Sequence, residues 1–275
     1  MAFASDVVSI EKNGAVGTLW LDRPEKYNAL TPAVWAAIPE AINELAADTD
    51  IRAIIFAGRG NHFCAGIDLM AGGLDAEHVK QSPSEAVANL NQLGFTTAFQ
   101  EAISSLAKVQ LPVIAVVHGY CLGAGIDLIT ACDVRISAAD GQFGVRETRI
   151  GLVADVGTLQ RLPKIISAGH MAELAYTGKD IDAARAEKIG LVNDVYDDFD
   201  STYAAAMEMA NTIAANPPLA VRGTKFILQQ SEDLTTEQSL LLNGMFTLMT
   251  SLKSNDMHET MHAFGEKRPP VYTGS

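Results

Sequence analysis

One pentapeptide occurs twice in this chain. Ala65-Gly66-Ile67-Asp68-Leu69 returns as Ala124-Gly125-Ile126-Asp127-Leu128. Each copy follows an apolar, β-type run and a glycine-containing turn, with Ile51–Ala57 before the first and Val113–Val117 before the second. Two strand–turn–helix units of one pattern predict a repeated α/β architecture. The first turn of a helix carries backbone N–H groups without intrahelical partners, and such groups bind anions and polarised oxygens. The two copies could each supply one donor to a shared oxygen. A chance likeness of five residues is the plainer reading, and the pentapeptide alone leaves both open.

The second copy lies inside the segment 112–164, where an apolar run ends in a Gly-rich turn and opens a helix. Three carboxylates, Asp127, Glu147 and Asp155, stand there among apolar neighbours. Carboxylates in such surroundings are paired, capping or functional. Singly, each has an ordinary use. Asp127 can complement a helix dipole. Asp155, just before VGTLQRL, can be an N-cap. Glu147, at the end of FGVRE, can pair with Arg146 or Arg149. Together, beside a Gly-rich donor turn, they suit proton transfer next to a carbonyl. The donors would stabilise an enolate and a carboxylate would move the proton. Apolar packing would raise their pKa values toward a useful range.

Composition narrows the partners. Apolar residues make up 48% and charged residues 19% of 275, enough for a substantial core. The net charge of −13 argues against a phosphate-backbone partner. No run approaches the roughly 20 apolar residues of a membrane span. The start, MAFASDVVSIEK, lacks the pattern of a secretory signal. Cys64, Cys121 and Cys132 lack metal-ligand spacing and read as reduced residues of a cytoplasmic protein.

Local signals place further elements. Asn13-Gly14 between VVSIEK and AVGTLWLD predicts a hairpin. Thr31-Pro32 predicts an N-cap and first helical residue, with the helix running to about Ala47. Residues 70–90 are polar with Gly and Pro, and could form a mobile flap. A helix is expected from about Glu85 to Lys108. After about residue 200 the chain reads as helices throughout, with Thr235 and Gln238 fitting a capping box. The apolar stripe of QSLLLNGMFTLMTSL could meet another subunit or the chain's own core.

Two motif matches are set aside. His258-Glu259-Thr260-Met261-His262 matches HExxH, but its helix ends within a few residues and no third ligand follows. Gly123-Ala124-Gly125 imitates a dinucleotide fingerprint, but Leu128 stands where its third glycine would be.

Taken with LDRPEKYNALT at 21–31, FCAGIDL at 63–69, TGKDIDAARAEKIGLVNDV at 177–195 and AFGEKRPPVYTG at 263–274, the chain resembles the crotonase (enoyl-CoA hydratase/isomerase) superfamily over nearly its whole length. The resemblance implies a crotonase-like spiral of ββα repeats carrying the acyl-CoA site over 1–200. It implies a helical C-terminal trimerisation region over 201–275, with assembly as a homotrimer or homohexamer. It implies an acyl-CoA thioester as ligand, with coenzyme A part of the substrate and no separate cofactor. By position, the two N–H groups that grip the thioester oxygen fall on Ile67 and Ala124. Ala65, Gly66, Leu69 and Gly123 would surround the substrate, and Lys26 and Asp68 would stand near its nucleotide end. Lys267 and Arg268 could serve its phosphates or simply keep the surface soluble.

Within that superfamily the carboxylates distinguish reactions. Hydratases resemble this chain at Asp127 and Glu147 but carry glutamate at both, and usually glycine in place of Asp155. The triplet Asp127, Glu147, Asp155, with ITACDVR and GLVADVGTLQRLPK around it, resembles the Δ3,5-Δ2,4-dienoyl-CoA isomerases. That likeness implies Glu147 as base at C2, Asp155 as proton donor at C6, and Asp127 orienting or tuning its neighbours. A 2-enoyl-CoA hydratase using Asp127 and Glu147, and a non-catalytic acyl-CoA-binding scaffold, are the alternatives.

Overall fold

In the computed structural model, residues 3–71 and 81–275 are described. The chain reverses at Gly14, whose φ of +57° suits a residue without a side chain. Strand β1 (Val8–Asn13) thereby pairs antiparallel with β2 (Val16–Leu21). Helix α1 (Pro32–Ala47) starts where Thr31 accepts the Val34 N–H, with Pro32 as its first residue. Strand β3 is Ala53–Gly58, two residues later than the apolar run begins. Helix α2 (Glu85–Lys108) is capped by Ser84. The flap expected over 70–90 therefore gives way to α2 from Glu85, and its stretch 72–80 lies outside the described residues.

The central element is a six-stranded sheet in the order β1-β2-β3-β4-β6-β9, with β4 at Val113–Val117, β6 at Val134–Ala138 and β9 at Asp194–Tyr196. From β2 onward every pairing is parallel. Strands β2, β3 and β4 are buried along their whole length, as continuous apolar runs covered on both faces must be. Helices α1 and α2 cover one face through Trp35, Ile38, Ile42, Phe99 and Ile103.

A smaller sheet holds β5 (Tyr120–Leu122), β7 (Gln142–Gly144) and β8 (Asp180–Asp182), in that order. The chain alternates between the sheets. It enters the large one at β3, β4 and β6, and after each crosses to the small one at Cys64, β5 and β7. Short helices follow: α3 (Ala124–Thr130) after β5, then α4 (Thr158–Arg161), α5 (Ala168–Thr177) and α6 (Ala183–Lys188). This is the expected spiral of strand–strand–helix turns.

Helix α7 (Phe199–Ala214) lies across the other face of the large sheet, packing Ala206 and Ala210 onto Trp20, Ile55 and Ile114. The first helix of the C-terminal region thus helps enclose the sheet. Beyond it come α8 (Pro218–Gln230), α9 (Thr236–Met249) and α10 (Asn255–Glu266). The capping box of Thr235 and Gln238 is formed. Lys225 fastens α8 to the body, reaching Asp133 at 2.7 Å and the Leu111 carbonyl at 2.9 Å. On α9, Leu240, Leu241, Met245, Leu248 and Met249 are exposed. No helix among the described residues is long and apolar enough to cross a membrane.

Candidate active site

Three turns of the spiral meet at one place. In the small sheet Cys64 pairs with Cys121, and Cys121 with Phe143. Three residues beyond the first two of these positions come Ile67 and Ala124; four beyond the third comes Glu147. Successive turns therefore deliver an amide, an amide and a carboxylate to neighbouring positions.

The two copies of the pentapeptide stand side by side, but they fold differently. The second opens α3, with Ala124 as its first residue. The first starts no helix over residues 65–71. There Ile67 forms an isolated parallel bridge with Leu30, so that the Leu30 N–H bonds the Gly66 carbonyl and the Asp68 N–H bonds the Leu30 carbonyl, at 2.8 and 2.9 Å. The helix expected after the first turn is replaced by a long-range pairing. Neither the Ile67 N–H nor the Ala124 N–H donates to an acceptor among the described residues.

Glycines let the turns approach. Gly66 has φ +95°, and a Cβ there would come within 2.9 Å of the Leu122 carbonyl oxygen and 3.6 Å of the Ala124 nitrogen. Gly123 has φ +52°, and a Cβ there would touch Glu147 Oε1 at 3.5 Å. The first clash is with backbone of the neighbouring turn; the second is ordinary contact.

The carboxylates divide into two kinds. Glu147 and Asp155 line a cavity of about 450 Å3; Asp127 does not. Asp127 is fully buried on α3, and its Oδ1 accepts the Thr158 N–H. Its Oδ2 is buried without a partner among the described residues. Burial pushes its pKa up to about 7, the Glu147 charge adds to the rise, and Thr158 and Arg161 oppose it. Glu147 is half-buried with Oε2 unpartnered, and its pKa is raised, first by burial and then by the Asp155 charge.

Asp127 does stand in the first turn of its helix, as its ordinary reading requires, but the ordinary roles of the other two carboxylates do not apply. Helix α4 is capped by Gly157, with no side-chain cap, so Asp155 is not its N-cap. Asp155 is exposed, and its carbonyl accepts Gln100 Nε2 at 2.6 Å. The expected pairing of Glu147 with Arg146 or Arg149 is not formed among the described residues, and Arg146 is taken by Asp180. Glu147 opens a 3-10 turn, Glu147–Ile150, rather than ending a strand.

Ala65, Gly66, Ile67, Leu69, Gly123 and Ala124 also line the cavity, while Lys26 and Asp68 do not. Lys26 is exposed in a 3-10 turn whose next residue, Tyr27, accepts the Ala65 N–H. Asp68 is held by Arg23 at 3.4 Å and by the Met70 N–H. Arg268 is engaged by Glu259 and Glu266. That pairing also occupies the glutamate of the HExxH match, whose pKa Arg268 depresses to about 2.

Sequence reasoning missed the aromatic wall and one hydroxyl. Trp35 from α1 stacks on Phe99 from α2 at 4.7 Å, Phe95 packs on Phe99 at 4.4 Å, and all three line the cavity. Nothing in the helical periodicity separates these from core residues. Thr158 is fully buried against Asp127, and its place three residues after Asp155 was the available signal.

The family model described as enoyl-CoA hydratase/isomerase matches residues 11–275. The mitochondrial Δ(3,5)-Δ(2,4)-dienoyl-CoA isomerase of Dictyostelium discoideum is 38% identical over 271 residues, covering 96% of this chain and 90% of that protein. The peroxisomal Δ(3,5)-Δ(2,4)-dienoyl-CoA isomerase of Arabidopsis thaliana is 33% identical, covering 97% of this chain and 96% of that one. Among solved structures, an enoyl-CoA hydratase from Bacillus anthracis superposes with a TM-score of 0.87 at 28% identity, covering 98% of this chain and all of that one.

Proposed function

The chain belongs to the enoyl-CoA hydratase/isomerase family, and on that premise we propose that it isomerises 3,5-dienoyl-CoA to 2,4-dienoyl-CoA. One observation carries the reading: Glu147 and Asp155 line a single apolar-walled cavity while Asp127 is sealed beneath it. Moving a conjugated diene by one carbon takes a proton from C2 and returns one at C6. A single carboxylate does not easily reach both ends of a rigid diene, so two separated groups suit the task.

Glu147 is the base at C2, since burial has raised its pKa and so its basicity. The electrons of the C2–H bond move into the extended dienolate, whose charge collects on the thioester oxygen. The unengaged Ile67 and Ala124 N–H groups bind that oxygen; losing one such donor typically costs about 100- to 1,000-fold in rate. Asp155 hands a proton to C6. Its exposure lets solvent restore that proton, and the half-buried Glu147 gives up the proton taken from C2 to solvent through the cavity once the product leaves, closing the cycle.

A hydratase would need Asp127 and Glu147 to share a water facing the substrate. Asp127 has no exposed surface and does not line the cavity, which disfavours that alternative. The apolar residues exposed on α9 support assembly with further copies, as a trimer or hexamer. The three free, buried cysteines suit the cytoplasm, although relatives are named mitochondrial or peroxisomal.

The test is an ultraviolet progress curve with 3,5-octadienoyl-CoA beside one with crotonyl-CoA. Growth of long-wavelength absorbance with the diene is expected, and Asp155→Asn should abolish it with the fold intact. Rapid loss of crotonyl absorbance without diene turnover would make the protein a hydratase. Silence with both would favour a binding role.

A further inference from the structure

Among the described residues, the side-chain oxygens Asp127 Oδ2, Glu147 Oε2 and Thr158 Oγ1 are buried around the site without hydrogen-bond partners. Glu147 has a place in the isomerisation. The other two lie outside the cavity, fully buried, and are joined by the bond from the Thr158 N–H to Asp127 Oδ1. Leaving such groups unsatisfied is costly, so their retention asks for a reason. Thr158 favours the charged form of Asp127, and the observed bond to the carboxylate comes from its N–H. The hydroxyl is on the same residue, buried and without a partner among the described residues.

The position of this pair in the fold supplies the reason. Thr158 is the first residue of α4, and Gly157, Val156 and Asp155 immediately precede it. Asp127 is anchored on α3, behind the oxyanion amide of Ala124. The Asp127–Thr158 link therefore ties the segment bearing Asp155 to the helix that bears the thioester grip. We propose that Thr158 is a positioning residue of the isomerisation: its N–H holds Asp127, and its unpartnered hydroxyl closes on the same carboxylate during turnover, which together set where Asp155 stands over C6. This rests on the isomerase reading.

The two proton transfers can be read separately in D2O. Removal of the C2 proton by Glu147 followed by return of a deuteron labels recovered 3,5-dienoyl-CoA at C2. Completion at C6 forms the 2,4-diene. Thr158→Val keeps the shape and the N–H but removes the hydroxyl. It should slow diene formation about tenfold, the usual worth of one hydrogen bond, with KM and C2 exchange within about threefold of wild type. Deuterium should then accumulate in unreacted substrate. Thr158→Ser, which restores the hydroxyl, should recover diene formation.

Exchange and diene formation falling together in Thr158→Val, neither falling, or Thr158→Ser proving as slow as Thr158→Val would each overturn the proposal while wild-type isomerisation stands. A wild-type protein that makes no 2,4-diene would remove the isomerase reading and this role with it.

Discussion

The two copies of Ala-Gly-Ile-Asp-Leu share a sequence but stand two residues out of register on neighbouring turns of the spiral, and their aspartates meet different fates. In the first copy Ile67 pairs with Leu30, and Asp68 is partly buried in a 3.4 Å ion pair with Arg23. In the second the backbone turns into α3 and carries Asp127 inward, where burial holds its pKa near 7. What the copies keep in common is the amide after the glycine turn. The register of the spiral, not the pentapeptide, therefore sets the backbone donor, which is the third residue of the first copy and the first residue of the second, and the aspartate one residue or three residues later is free to serve different ends.

The largest effect should come from forcing the copies apart. Gly66→Ala places a Cβ within 2.9 Å of the Leu122 carbonyl, in backbone of the second turn, at a φ of +95°. Steady-state kinetics should show kcat reduced by about 100-fold or more as the two amides lose their common target. Gly123→Ala is strained by its φ of +52° but meets an ordinary 3.5 Å contact with Glu147 rather than a backbone clash. It should cost less than Gly66→Ala, and the reverse order would break the picture of two abutting turns.

Next come the aspartates themselves. Asp127→Asn should lower kcat about tenfold by removing the charge beneath Glu147 and loosening the bond to Thr158. Its stability should move in a definite direction with pH. The unfolded chain releases this proton near the ordinary 3.8, whereas the folded protein keeps it to about 7. Between those values the folded state holds more protons, so the group's contribution to stability is fully present below the lower value and is lost as pH rises through the upper one. The gap corresponds to at most about 4 kcal/mol. Thermal unfolding should show Asp127→Asn gaining several degrees on wild type between about pH 5 and pH 8. An unchanged difference would mean that Asp127 is not the buried acid described.

Asp68→Asn should be the mildest, with kcat and KM within about threefold of wild type, because long, partly exposed ion pairs contribute at most about 1 kcal/mol. A loss matching that of Asp127→Asn would erase the distinction between the copies.

What the sequence revealed depended on range. The Gly14 turn, the Thr31-Pro32 helix start and the Thr235–Gln238 box are closed by neighbours a few residues apart, and each was readable as a local pattern. The spiral and the three carboxylates were legible because both copies and the segment 112–164 carry the family's pattern. Two of the errors involve distant partners and one a nearby glycine. Arg146 bypasses Glu147 for Asp180, 34 residues on. Leu30 claims the first copy before it can begin a helix. Gly157, at φ +134°, delays α4 past Asp155 and takes its cap. The aromatic wall of Trp35, Phe95 and Phe99 exists only because two helices pack at one end of the cavity.

The alternation between two sheets has a metrical consequence. Neighbouring strands stand about 4.8 Å apart, and an N–H reaches its oxygen at about 2.9 Å. Amides borne at matching positions on adjacent rungs, as Ile67 and Ala124 are, are spaced like the jaws of a caliper set to a single atom. The gauge of that caliper is the interstrand distance, which every sheet keeps, so the grip on one oxygen comes ready-made with the ladder while the chemistry beside it is left to whichever acids the later rungs present.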